Sequence, residues 1–206
     1  NRISYPKDPV IFNLKDTIPV LYHRIKPSEE AIYYTYQGVC YKDDGALFNE
    51  HNLRFDLLVI KPGQIGKEYI KTIGQLHPLK NTGKETFPVY YEVLSGEAIF
   101  LLQRNRRDNE VEEIMAIEAK NGDKVYIPSG YGHIIINPAS EYLVVANLIE
   151  ANFSPINEPF MEKSGAAYFY IKGDSGKGDW IKNPNYKNSV GLKIKAAPNL
   201  EQPLAE

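Results

Sequence analysis

The sequence predicts an all-β fold, a sandwich or a barrel, and three observations point that way. From about Leu53 onward the chain runs in short stretches rich in β-branched and aromatic residues, each closed by turn residues. VYYEVLSG passes at once into EAIFLLQR, which reads as a tight hairpin with Gly96 taking positive φ, and NGD at Asn121 to Asp123 gives a second such signal. Helical periodicity is weak throughout this span.

The elements follow in order. Residues 1–27 carry several prolines and read as an extended arm. SEEAIYYTY offers a short helix, with Ser28 as N-cap and Glu29 and Glu30 near its positive end. LRFDLLVI, KEYIKTI, VYYEVLS, EAIFLLQR, VEEIMAIEA, KVYI, HIII and EYLVVANLIE read as strands. SGAAYFYIK adds one more strand, and GDSGKGDW begins a loose tail in which Trp180 packs on the barrel or a partner subunit. These segments divide the chain into an N-terminal arm at 1–44, a barrel at 45–150 and a C-terminal strand and tail at 151–206.

Composition narrows the functional classes. The chain has 206 residues, 24 basic and 26 acidic, for a net charge of −2, so no electrostatic footprint for nucleic acid is present. Arg104 to Arg107 is a short basic run followed by DNEVEE and reads as a solvated hairpin tip. No apolar run approaches the ~20 residues that span a bilayer. Cys40 is the single cysteine, which rules out an internal disulfide and fits a reducing, cytoplasmic setting.

Residues 122–137 read G-x5-P-x-G-x2-H-x3-N, with Gly122, Pro128, Gly130, His133 and Asn137 each at its spacing. Gly122 turns into a strand, Pro128 ends it, and Gly130 allows a reversal that sets His133 on the next strand. The pattern resembles the second motif of the cupin superfamily, whose fold is a double-stranded β-helix or jelly-roll barrel. There His133 would point into the barrel mouth; without that resemblance a satisfied core histidine is the better reading.

The resemblance narrows further. LRFDLLVIKPGQIGKEYIKTIGQLHP and PVYYEVLSGEAIFLLQ are similar to the archaeal-type glucose-6-phosphate isomerases, a cupin family reading T-x-G-H-x-H-P and then P-E-x-Y-E-V-L-x-G. The similarity runs from about Ala31 to Glu150. It implies a homodimeric enzyme of glycolysis and gluconeogenesis that interconverts glucose 6-phosphate and fructose 6-phosphate with a divalent metal (Fe, Ni, Zn or Mn). Carried over by position, the metal ligands would be Gln75, His77, Val89 and His133. Here Gln75 stands where the family has its first histidine, and Val89 stands where it has glutamate. Substrate positions would be Tyr33, Thr72, Gly74 and Tyr91, and a threonine often found before K-P-G is Leu57.

Gln75 offers only a neutral carbonyl, and Val89 offers no donor atom. The missing carboxylate also removes a candidate for proton transfer between C1 and C2 of the sugar, a role worth ~10²–10⁴-fold. Candidate stand-ins are Tyr91 and Glu85. Glu92 is three residues from Val89 and so faces the other side of the strand, while Glu97 reads as exposed. Three readings stay open: an isomerase with a reduced metal site, a catalytically weak or inactive cupin binding a sugar phosphate or other small polar metabolite, and a related cupin acting on another sugar or acid. His23 and His51 have no assigned role.

Overall fold

The structure is a computed structural model that describes residues 3–4 (backbone alone), 8–80, 83, 85–106, 108–152, 154–187 and 190–198. The first residues of the arm, Arg107 at the basic hairpin tip and the end of the tail lie outside these. Along the chain run β1 (Ile3–Ser4), β2 (Val10–Asn13), α1 (Leu14–Thr17), a 3-10 turn (Ile18–Val20), β3 (Ala31–Tyr36), β4 (Cys40–Tyr41) and α2 (Gly45–Glu50). Next come β5 (Leu53–Ile60), β6 (Gln64–Ile65), β7 (Glu68–Tyr69), β8 (Val89–Ser95), β9 (Glu97–Asn105), β10 (Val111–Lys120), β11 (Lys124–Ile127), β12 (Gly132–Ile136) and β13 (Leu143–Glu150). The chain closes with α3 (Glu158–Glu162), β14 (Tyr168–Lys172), β15 (Gly178–Lys182) and β16 (Lys193–Ala196).

Two sheets form the barrel walls. One has the order β11-β8-β13-β5-β3-β2, and the other β12-β9-β10-β16. All pairings are antiparallel except β10 with β16. Alternation along the strands sends Val89, Tyr91 and Val93 inward from β8, Phe100 and Leu102 from β9, and Leu58 and Ile60 from β5, where they form one core. At the β8–β9 turn Gly96 has φ +88°, and a Cβ there would sit 3.1 Å from the carbonyl oxygen of Tyr142.

Three expectations change. SEEAIYYTY is not a helix: its aromatic and β-branched run forms β3, paired with both β2 and β5. Ser28 and Glu30 spend their carbonyls on the backbone N–H groups of Lys15 and Leu14 instead of opening a helical turn. The arm thus supplies two strands to the larger sheet. KEYIKTI is a strand only over Glu68–Tyr69; beyond it the segment makes isolated bridges to β12. The tail forms a hairpin, with Trp180 on β15 set 4.7 Å from Tyr170 on β14, and its last described strand joins β10.

A second core fills the space between the outer face of β9, β10 and β12 and the C-terminal elements, and includes Ile99, Leu101, Ile134, Ile136, Phe160 and Tyr168. At its edge lies a buried ion pair. Lys71 Nζ is 2.6 Å from Glu68 Oε1, and the two side chains are only 4% and 1% exposed. Lys71 also donates to the carbonyl of Val20 at 2.7 Å and lies over the ring of Phe169, while the second oxygen of Glu68 accepts from the N–H of Tyr22 at 2.8 Å. The pair therefore ties the arm, β7 and β14 together.

A buried ion pair costs much of its Coulombic gain in desolvation, but losing one partner strands the other charge. Lys71→Met is expected to destabilise the protein by about 3–5 kcal/mol in guanidinium unfolding, whereas Lys71→Met with Glu68→Leu is expected to recover most of that loss.

Candidate functional site in the barrel cavity

A cavity of about 100 Å³ opens inside the larger sheet where the 71–77 segment crosses β12. Its walls carry Tyr33 and Thr35 from β3, Arg54 and Asp56 from β5, Tyr91 from β8, His133 from β12 and Asn147 from β13, with Thr72 and Gln75 from the crossing segment. Gln75 and His133 exchange both backbone hydrogen bonds, at 3.1 and 2.9 Å, so their side chains stand side by side on the cavity face.

The floor is a hydrogen-bond cluster centred on Tyr91, which meets Asn147 as well as Gln75 and His133. His133 Nε2 lies 2.9 Å from Tyr91 Oη and 3.0 Å from Gln75 Nε2, and Gln75 Nε2 is 3.3 Å from Tyr91 Oη. Because the Gln75 amide donates, His133 Nε2 accepts, which puts the imidazole proton on Nδ1. That atom is buried and has no hydrogen-bond partner among the described residues. Desolvation, with His77 adding to it, holds His133 well below the ordinary histidine pKa, so the ring is neutral. Burial likewise pushes the Tyr91 and Tyr33 phenols up, keeping both protonated.

His77 sits behind the cavity wall. Its Nδ1–H donates to the carbonyl of Phe87 at 2.8 Å, and its ring meets that of His133 edge-on at 5.5 Å. Burial lowers its pKa too.

The other positions read from the sequence divide. Tyr33 and Thr72 reach the cavity; Tyr33 stacks on Phe12 at 4.3 Å, and the Thr72 hydroxyl accepts from the N–H of Ile135 at 3.0 Å. Gly74 does not line it. A Cβ at Gly74 would fall 2.4 Å from the Phe160 ring, and one at Gly132 2.7 Å from it, so both glycines are open because α3 packs there. Val89 is buried in the apolar core. Glu85 is exposed and pairs with Lys80. Leu57 alternates with Asp56 and Leu58 and lies outside the cavity lining, while Asp56 faces in. His51 follows α2 as its C-cap residue, and His23 packs against Tyr22 and over Gly66.

Sequence reasoning passed over Arg54, Asp56 and Asn147. Its signal was present in LRFDLLVI and LVVANLIE: charged or amide residues at the inward positions of strands that are otherwise apolar.

A metal fits this set poorly. Two imidazoles and one neutral amide are the donors near it, Val89 contributes none, and His133 already engages Tyr91 and Gln75 through the nitrogen that would bind. Among the described residues no three His, Cys, Asp or Glu side chains converge on a common point.

An antiparallel barrel with a polar cavity in its interior, and the G-x5-P-x-G-x2-H-x3-N motif running from the β10–β11 turn to the end of β12, defines a cupin. A profile of the family described as Glucose-6-phosphate isomerase (GPI) matches residues 21–188, and the chain belongs to that family. The glucose-6-phosphate isomerase of Pyrococcus horikoshii is 27% identical over 139 residues, covering 68% of this chain and 67% of that protein. Among solved structures, oxalate decarboxylase from Bacillus subtilis is 18% identical with a TM-score of 0.42 over 61% of this chain. Oxalate oxidase in complex with glycolate is 13% identical with a TM-score of 0.42 over 53% of it. The chain spans 28% and 48% of those two chains. No helix among the described residues is long and apolar enough to cross a membrane.

Both buried histidines make stability depend on pH. Their native pKa values lie below the unfolded value of ~6.5, so below that pH the unfolded chain binds more protons than the native one. The contribution is present above pH ~6.5 and is lost as pH falls toward the native values. The urea midpoint is expected to drop from pH 7 to pH 5, and to drop less steeply in His133→Gln.

Proposed function

We propose that the barrel cavity binds a sugar phosphate of the glucose 6-phosphate and fructose 6-phosphate type without a metal, and that metal-assisted aldose–ketose isomerisation is lost. The observation that carries this is the His133–Tyr91–Gln75 cluster: His133 Nε2 is engaged by a neutral amide and a phenol, where metal binding would require that nitrogen and a carboxylate. Family membership supports the ligand class, and the polar lining with Thr72, Tyr33, Asp56 and Asn147 supports a phosphorylated, hydroxylated ligand.

A second reading, metal-free isomerisation, has its own support. Neutral His133 hydrogen-bonded to the Tyr91 phenol at 2.9 Å is a base and acid pair within one cavity. Calorimetry with fructose 6-phosphate and a coupled isomerase assay separate the two. Binding with no turnover, with or without Mn²⁺, Ni²⁺ or Zn²⁺, is the expected result; metal-stimulated turnover would sink it. Replacing Gln75→His together with Val89→Glu is expected to raise metal content from trace to about one ion per chain, measured by mass spectrometry of the purified protein.

The protein is also proposed to act as a homodimer. Phe55, Leu57 and Val59 of β5 alternate with its inward residues, and with Tyr90 and Tyr126, whose rings lie 4.7 Å apart, they form an apolar patch on the outer face of the larger sheet. A second copy would cover such a face with itself. Light scattering is expected to give twice the chain mass for the wild type and one chain mass for Leu57→Glu.

A further inference from the structure

Asp56 and Asn147 are direct cross-strand partners between β5 and β13, and both side chains line the cavity. Opposed residues in such a pair hold their Cβ atoms about 4.5–5.5 Å apart, so the two polar ends meet at one place. They are 3% and 4% exposed. Asp56 is held from behind. Arg54 Nε donates to its two oxygens at 2.8 and 3.0 Å, and the N–H of Gly38 donates to Oδ1 at 3.0 Å. Arg54 is itself fixed, through Nη1, by the carbonyl of Ala151 at 3.2 Å. Oδ2 thus accepts one shared bond although a carboxylate oxygen can accept two. The carboxamide oxygen of Asn147 has no hydrogen-bond partner among the described residues.

Two acceptors with spare lone pairs, buried side by side, call for donors. A phosphate end would bring more acceptors and a like charge to Asp56, and an apolar group would leave both oxygens unsatisfied. Vicinal hydroxyl groups supply donors at the right spacing. The room available, about 100 Å³, is several times the ~10–15 Å³ that one water needs. Building from the proposed sugar-phosphate site, we infer that Asp56 and Asn147 are specificity-determining residues that bind hydroxyl groups of a polyhydroxylated ligand, with Arg54 as the positioning residue that aims the carboxylate. The phosphate then lies away from this pair, toward Thr72 and Tyr33.

Calorimetry with fructose 6-phosphate and with hexyl phosphate, which has the phosphate but no hydroxyls, tests this on the intact chain. Wild type is expected to bind fructose 6-phosphate at least about tenfold more tightly than hexyl phosphate. Asp56→Asn, which keeps the shape and an acceptor for Gly38, and Asn147→Leu are each expected to weaken fructose 6-phosphate about tenfold and leave hexyl phosphate unchanged. Thermal unfolding checks that both variants are folded, and the wild-type comparison stands if they are not. Equal wild-type affinity for the two ligands, or variants that bind fructose 6-phosphate as tightly as wild type, would overturn this role while leaving sugar-phosphate binding intact. A wild-type protein that binds neither ligand overturns both.

Discussion

Pairing of the 71–77 segment against β12 is the contact on which barrel, cavity and outer core all depend. The segment is not a regular strand, yet it bonds β12 at Thr72 with Ile135 and at Gln75 with His133. This closes the cavity floor on one side. On the other it places Lys71 where Glu68 and the carbonyl of Val20 can neutralise it, and leaves Gly74 open for Phe160. Seven residues thus serve a polar cavity on one side and an apolar outer core on the other. Such a segment tolerates little change: a side chain at Gly74 would collide with an aromatic ring, and an unpaired Lys71 would be a buried charge.

The chemistry of the cavity follows from burial. Inside an apolar barrel each polar group must find a partner or carry a desolvation cost. His133 Nε2 meets an amide and a phenol, while its Nδ1 stays without a hydrogen-bond partner among the described residues. A glutamate at position 89 would be an uncompensated carboxylate in the apolar core, where Val89 packs instead. Asp56 carries a buried carboxylate in the barrel, where Arg54 and the Gly38 N–H balance it.

The sequence by itself determined the barrel strands other than β3 and the 67–73 stretch, the hairpins at Gly96 and Asn121 to Asp123, the cupin barrel and the family, because alternation and turn chemistry are local and the motif spacings are fixed by strand geometry. It also singled out Gln75, Tyr91 and His133, which meet at the cavity, and His77, whose ring packs against His133. What only the tertiary structure decided was partnership. β3 became a strand because β2 and β5 flank it, overriding a plausible N-cap. Gly74 faces an aromatic ring because α3, more than eighty residues later, packs there. Asp56 and Asn147, ninety-one residues apart, share one corner of the cavity because β5 and β13 pair in one register. Long-range register sets which side chains meet, and no local pattern encodes it.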